Sequence, residues 1–126
     1  GMVERTGSYR ELLVWRNALD LAQLSYEITE QFPREEQYGM TSQIRRCSVS
    51  IAANIAEGHG RDSAGSFAQF LKIAQGSLKE LETHFILANR LGFVDAAALH
   101  RILDPCDELG RMLLALIRTV QRKAAE

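Results

Sequence analysis

The chain has 126 residues, 46% of them hydrophobic and 25% charged, with a formal net charge of −1 at pH 7. That length predicts one domain, large enough to bury about two thirds of its unfolded surface without a disulfide or metal staple. The near-neutral charge excludes a uniformly basic nucleic-acid binder and leaves room only for local basic patches.

Two prolines in the whole chain, with abundant leucine, alanine, glutamate and arginine, favour an all-helical fold. The first residues, GMVERTGSYR, hold no apolar signal core. No run approaches the ~20 apolar residues of a membrane span. Gly1 before Met2 is read as an expression remnant, residues 1–8 as a flexible N-terminus, and residues 9–123 as the single domain.

The first predicted helix runs from Leu13 to Gln31. Val14, Ala18, Leu21, Ser25, Ile28 and Phe32 form its stripe, with Trp15, Leu19, Ala22 and Tyr26 beside it. Pro33 ends it, because a residue before proline is pushed out of the helical region. The second spans residues 38–61, with Glu35 and Glu36 suited to its positive N-terminal end. Met40, Ile44, Cys47, Ile51 and Ile55 recur at helical spacing. Ala52, Ala53 and Ala56 form a small-residue stripe, Gln43, Arg46, Ser50, Asn54 and Glu57 a polar one, and Gly58 and Gly60 the stop signal.

The third helix is predicted from Ser63 to Leu91, with Asp62 or Ser63 as N-cap and Gly92 just past its end. Phe67, Phe70, Leu71, Ala74, Leu78, Leu81, Phe85 and Ala88 form its stripe. Gly76 in mid-helix is read as a point of close helix approach. The fourth helix is predicted from Asp95 to Lys123, with Leu99, Ile102, Leu103, Cys106, Leu109, Leu113, Leu116, Ile117 and Val120 facing inward. Pro105 either kinks this helix or begins a new one capped by Asp104. The apolar period runs through it unbroken, which favours one kinked helix. Four long helices with short connections define an up-down-up-down four-helix bundle. Helices this long in a small chain predict that exposed Trp15, Tyr26 or Phe93 is covered by a neighbouring subunit.

No catalytic, cofactor or metal constellation is expected. His59, His84 and His100 lack metal-motif spacing, and Glu80, Glu82 and His84 miss the Glu-x-x-His pattern of a di-iron bundle. Gly58-x-Gly60 follows a helix and lacks the lysine of a phosphate loop. Cys47 and Cys106 are expected as buried free thiols, which suits a reducing cytoplasm. Arg46 and Asn54 on the polar stripe admit two readings. In one they are structural, with Arg46 paired to Glu57 or Glu80. In the other Arg45 and Arg46 form an anion-binding face with Arg61 and Lys72 nearby. A second basic cluster is Arg111, Arg118, Arg122 and Lys123, in a stretch from Gly110 to Ala125 without an acidic residue. It either complements the helix dipole or faces phosphate.

Several motifs occur together: Val14-Trp15, Phe32-Pro33, Tyr38-Gly39, Ser42-Gln43-x-Arg45-Arg46, Ser50-Ile51-x-x-Asn54-Ile55-Ala56-Glu57-Gly58, Arg61, Phe70-Leu71-x-x-Ala74-x-Gly76-Ser77 and Glu80. Over residues 9–120 the chain thereby resembles the bacterial 23S rRNA intervening-sequence protein family. The resemblance implies a left-handed four-helix bundle assembled into a homopentameric ring, similar in fold to the accessory protein of diversity-generating retroelements. It also implies association with RNA or the ribosome, though that accessory protein is markedly basic and this chain is not. Gly65-Ser66 replaces the charged residues usual at the start of the third helix, and Pro105 lies outside the usual pattern. The expected protein is therefore a non-enzymatic homo-oligomer without cofactor, with RNA as partner. The alternative is a module that binds another protein and no nucleic acid.

Overall fold

A computed structural model describes residues 8–126. Among them are four α-helices: α1 (Leu13–Thr29), α2 (Met40–His59), α3 (Ala64–Arg90) and α4 (Ala96–Ala125). Short 3-10 turns cover Tyr9–Glu11 and Arg34–Glu36, and the described residues contain no strand. Each helix packs on the next, and α4 returns to α1, so the four close an up-down-up-down bundle. The expectation for residues 1–8 lies outside the described residues except at Ser8, whose Oγ accepts from the Arg10 amide at 3.1 Å.

The predicted stripes meet on the bundle axis. Leu21, Ile44, Ile51, Leu71, Leu78, Phe85, Ile102 and Leu113 are all buried within it. Apolar periodicity thus sets which face of each helix turns inward. Buried Ser25 and Thr29 donate their hydroxyls to the carbonyls of Leu21 and Ser25 one turn back (2.9 and 2.8 Å), leaving neither hydroxyl unpaired in the core.

Helix ends follow local chemistry. The Met40 amide donates to Glu36 Oε1 at 3.1 Å, which places this carboxylate at the positive end of α2. Ser63 Oγ accepts from the Ser66 amide (3.1 Å), and Asp95 Oδ1 from the Ala98 amide (2.8 Å). At the end of α3, Gly92 adopts φ +81°. The Phe93 amide donates to the Ala88 carbonyl (2.9 Å) and the Gly92 amide to that of Asn89 (3.0 Å), the two bonds of a Schellman closure. Pro105 lies inside α4, which continues through it as one helix, so the alternative of a new helix at Asp104 is excluded.

Two expectations about glycine reverse. Gly76 is exposed, and a Cβ built on it meets nothing within 4 Å, so it marks no close approach. Gly58, read as a stop signal, is buried inside α2, and a Cβ there would lie 2.4 Å from Phe70 Cβ and 3.1 Å from Phe67 Cδ1. The close approach is therefore between the last turn of α2 and the first turns of α3. Two aromatic expectations also change. Trp15 is half-buried with its ring edge-on to Tyr9 at 5.3 Å, and Phe93, also half-buried, packs on Phe32 at 5.6 Å, whereas Tyr26 is 43% exposed.

The two glycines should respond oppositely to alanine. Gly58→Ala is expected to lose about 1–3 kcal/mol through overpacking against Phe70. Gly76→Ala is expected to gain up to about 1 kcal/mol, since it adds helix propensity in open space. Urea unfolding midpoints test this, and equal shifts at the two positions would contradict the placement of the α2–α3 contact.

Candidate nucleic-acid interface

The polar residues of the bundle sort into three places. The first is the outer junction of α1 and α2. Arg45 is held there: its Nε donates to Thr29 Oγ1 at 2.9 Å and its Nη2 to the Tyr26 carbonyl at 3.3 Å. The guanidinium lies 4.7 Å from the centroid of the Tyr26 ring, with Glu30 Oε1 at 3.7 Å. Arg46, one residue on, points away from this pairing because successive helical residues diverge by about 100°. It is exposed, and its Nη2 donates to Ser42 Oγ at 3.2 Å.

The second place is the α2–α3 seam, where short side chains bond across the helices. Cys47 Sγ donates to the Ser77 carbonyl at 2.9 Å, and the Ser50 and Ser77 hydroxyls share a bond of 3.0 Å. Asn54 Nδ2 donates to the Ser50 carbonyl (2.8 Å) and to its Oγ (3.0 Å). Asn54 therefore belongs to a structural network, but Arg46 does not. Neither Glu57 nor Glu80 lies within salt-bridge distance of Arg46 among the described residues. Glu57 pairs with Arg61 at 3.0 Å, and Glu80 Oε2 lies 3.5 Å from His84 Nε2. Eleven residues of helix separate Arg46 from Glu57, or about 16 Å, which no side-chain pair spans.

The third place is the outer surface of the second half of α4. Arg111, Arg118 and Arg122 are exposed there, spaced seven and four residues apart and so on one helix face. Arg122 Nη2 donates to Thr119 Oγ1 at 3.4 Å. Lys123 is half-buried and engaged in a contact, which separates it from this face. Lys72 is exposed on α3. Arg61 stacks over Phe70 at 4.8 Å while pairing Glu57. Arg45 and Arg61 lie 16 residues apart in chain, roughly 24 Å along a helix, so the expected anion face of Arg45, Arg46, Arg61 and Lys72 does not assemble as one patch.

Sequence reasoning missed the companions of Arg45 and Arg46. Tyr26, Tyr38, Thr41 and Ser42 join them around an open depression of about 580 Å³. Tyr38 is 90% exposed, the most exposed of the large apolar and aromatic side chains among the described residues. The signal was present in Tyr38-Gly39 beside Ser42-x-x-Arg45-Arg46, but only the turn before α2 brings the ring back toward the arginines.

The cysteines are not reactive centres. Burial, reinforced by Glu80, pushes the Cys47 thiol up to about 12. Burial, reinforced by Glu82 and Asp107, does the same to Cys106. Both are free and buried. No three His, Cys, Asp or Glu side chains among the described residues are grouped to hold a metal. No helix of the described residues is long and apolar enough to cross a membrane.

These features define an all-helical bundle whose interior is given to packing and whose free cationic groups lie outside. The model of the 23S rRNA-intervening sequence proteins matches residues 10–115. The chain belongs to that family. It is also similar to the crystal structure of a protein of unknown function from the S23 ribosomal protein family of Bacteroides thetaiotaomicron. The identity is 25% and the TM-score 0.75, over 83% of this chain and 98% of that one. No curated protein matches the chain.

The two neighbouring arginines should separate in stability measurements. Arg45→Ala is expected to lose about 1–2 kcal/mol, because it removes two hydrogen bonds and a ring contact. Arg46→Ala should change stability by less than about 0.5 kcal/mol. Denaturant titration checks both. Thiol labelling at pH 8 should be slow in the native protein and fast in denaturant, since the native thiols remain protonated there. Raised thiol pKa values also make stability fall as pH climbs above 9, where the unfolded thiols ionise first.

Proposed function

We propose that the chain is a non-enzymatic, self-assembling bundle that associates with RNA through the arginine face of α4. The observation that carries this reading is the arrangement of Arg111, Arg118 and Arg122 on one exposed helix face, in a stretch free of acidic residues. Guanidinium groups suit phosphate oxygens through planar, paired donors. The link to 23S rRNA in the family's description supports RNA as the nucleic acid.

Self-assembly is supported by the apolar side chains left outside. Leu13 is 57% exposed, Leu91 54%, Ile73 52% and Leu19 47%. Such surface favours contact between copies, and the family resemblance supports a pentameric ring as that assembly. Assembly also resolves the charge problem. A chain of net charge −1 attracts phosphate only through a local patch, and a ring presents that patch five times, so linked weak contacts gain avidity. Two buried thiols without a disulfide suit action in the cytoplasm.

Light scattering should give a mass about five times the 14.1 kDa chain. Retention of RNA should fall steeply with salt, because each neutralised phosphate releases counterions. Charge reversal at Arg118 and Arg122 should weaken retention and flatten that slope. A stable monomer would overturn the ring. An assembly that retains no RNA at low salt would overturn the nucleic-acid reading in favour of a protein-binding module.

A further inference from the structure

The depression between α1 and the start of α2 lies apart from the α4 face, and the reading above leaves it unused. Its polar lining is cationic and neutral, with the Gln37 amide at its edge. Arg45 and Arg46 supply two guanidinium groups, Thr41 and Ser42 supply hydroxyls, and no carboxylate lines it. Glu30 approaches Arg45 only at the rim, with its side chain 75% exposed. Such a set of donors suits a compact anion with several acceptor oxygens.

Tyr38 adds a second requirement. Its ring borders the donors and is almost wholly exposed to water. Tyr26, across the depression, already carries the Arg45 guanidinium on its face at 4.7 Å. That contact and the two hydrogen bonds to Thr29 and the Tyr26 carbonyl hold Arg45 in place before any ligand arrives. Among the described residues Arg46 bonds only the Ser42 hydroxyl, and it can turn toward an anion. A pre-set cation, a mobile cation and an open aromatic face select a ligand with a phosphate at one end and a flat ring at the other.

We propose that this depression binds a nucleoside phosphate, with the phosphate on Arg45 and Arg46 and the base stacked on Tyr38. The same chemistry is presented by a free mononucleotide and by the 5′-phosphorylated end of a single strand. Stacking on an aromatic ring tolerates any base, because every base has a π face. The site is therefore selective for the phosphate and the flat ring together, not for sequence. It requires nothing of the α4 face, so the two can fail separately.

The test uses the full chain and ligand-observed saturation-transfer NMR with adenosine 5′-monophosphate. The mononucleotide should bind, while adenosine, observed directly, and inorganic phosphate, added as a competitor of the mononucleotide signal, should each bind at least about tenfold more weakly. Arg46→Ala and Tyr38→Ala should each weaken binding by about five- to hundredfold, and Tyr38→Phe should retain it. Both positions are exposed, so folding is not at stake, and an unchanged unfolding midpoint verifies this. The Arg118 and Arg122 charge-reversed protein should bind the mononucleotide as the unaltered protein does. A 5′-phosphorylated adenylate tetramer that binds more tightly than the mononucleotide assigns the depression to strand ends, and equal binding assigns it to free nucleotides. Either result supports the site. No saturation transfer at millimolar mononucleotide, binding unaffected by both alanine variants, or inorganic phosphate binding as tightly as the mononucleotide would each overturn it.

Discussion

The contact between Gly58 and Phe70 constrains much of what the bundle can do. A Cβ on residue 58 would stand 2.4 Å from Phe70 Cβ, so the two backbones approach at a spacing only glycine permits. Farther along the same seam, Cys47, Ser50 and Ser77 continue the close packing with short side chains that bond across it. Once this face of α2 is committed to α3, the phase of the helix turns Arg46 outward and lays Arg45 along the α1 side. The cationic surface is thus a consequence of interior packing.

The core itself offers little chemistry. Its largest fully buried side chains are aliphatic or aromatic apart from the Cys106 thiol, and the hydroxyls of buried Ser25, Thr29 and Ser48 are spent on carbonyls of their own helices. The thiols are held protonated by burial. Each carboxylate paired with a basic side chain sits on the outside or its margin, mostly within one helix turn of its partner, where a salt bridge contributes little to stability. Interaction with other molecules is left to the outer faces, and there the useful differences are the acid-free stretch of α4, the exposed aliphatics and the tyrosine-lined depression.

Much of the fold was legible because apolar periodicity reports helical phase. Val14 to Phe32, Ile44 to Ile55 and Ile102 to Val120 all buried the faces their spacing indicated. Ser63 and Gly92 were legible because caps depend on local backbone chemistry. Period carries no information about which helix lies opposite, or at what height. That is why Gly76 was mistaken for the close-contact glycine and Gly58 was not recognised. The same limit misplaced the partner of Arg46: a shared polar stripe places residues on one side of a helix and says nothing about reach along it. Tyr26 as the seat of Arg45 was invisible for the complementary reason, since the contact joins residues 19 apart across the turn between α1 and α2.

The proposed function rests on surface charge repeated by assembly rather than on a buried site. Ultraviolet crosslinking of the assembled protein to a structured RNA, with the attached peptides mapped by mass spectrometry, tests that most directly. The account predicts crosslinked peptides from the stretch containing Arg111, Arg118 and Arg122, lost as salt is raised. Crosslinks absent from that stretch at low salt would contradict it.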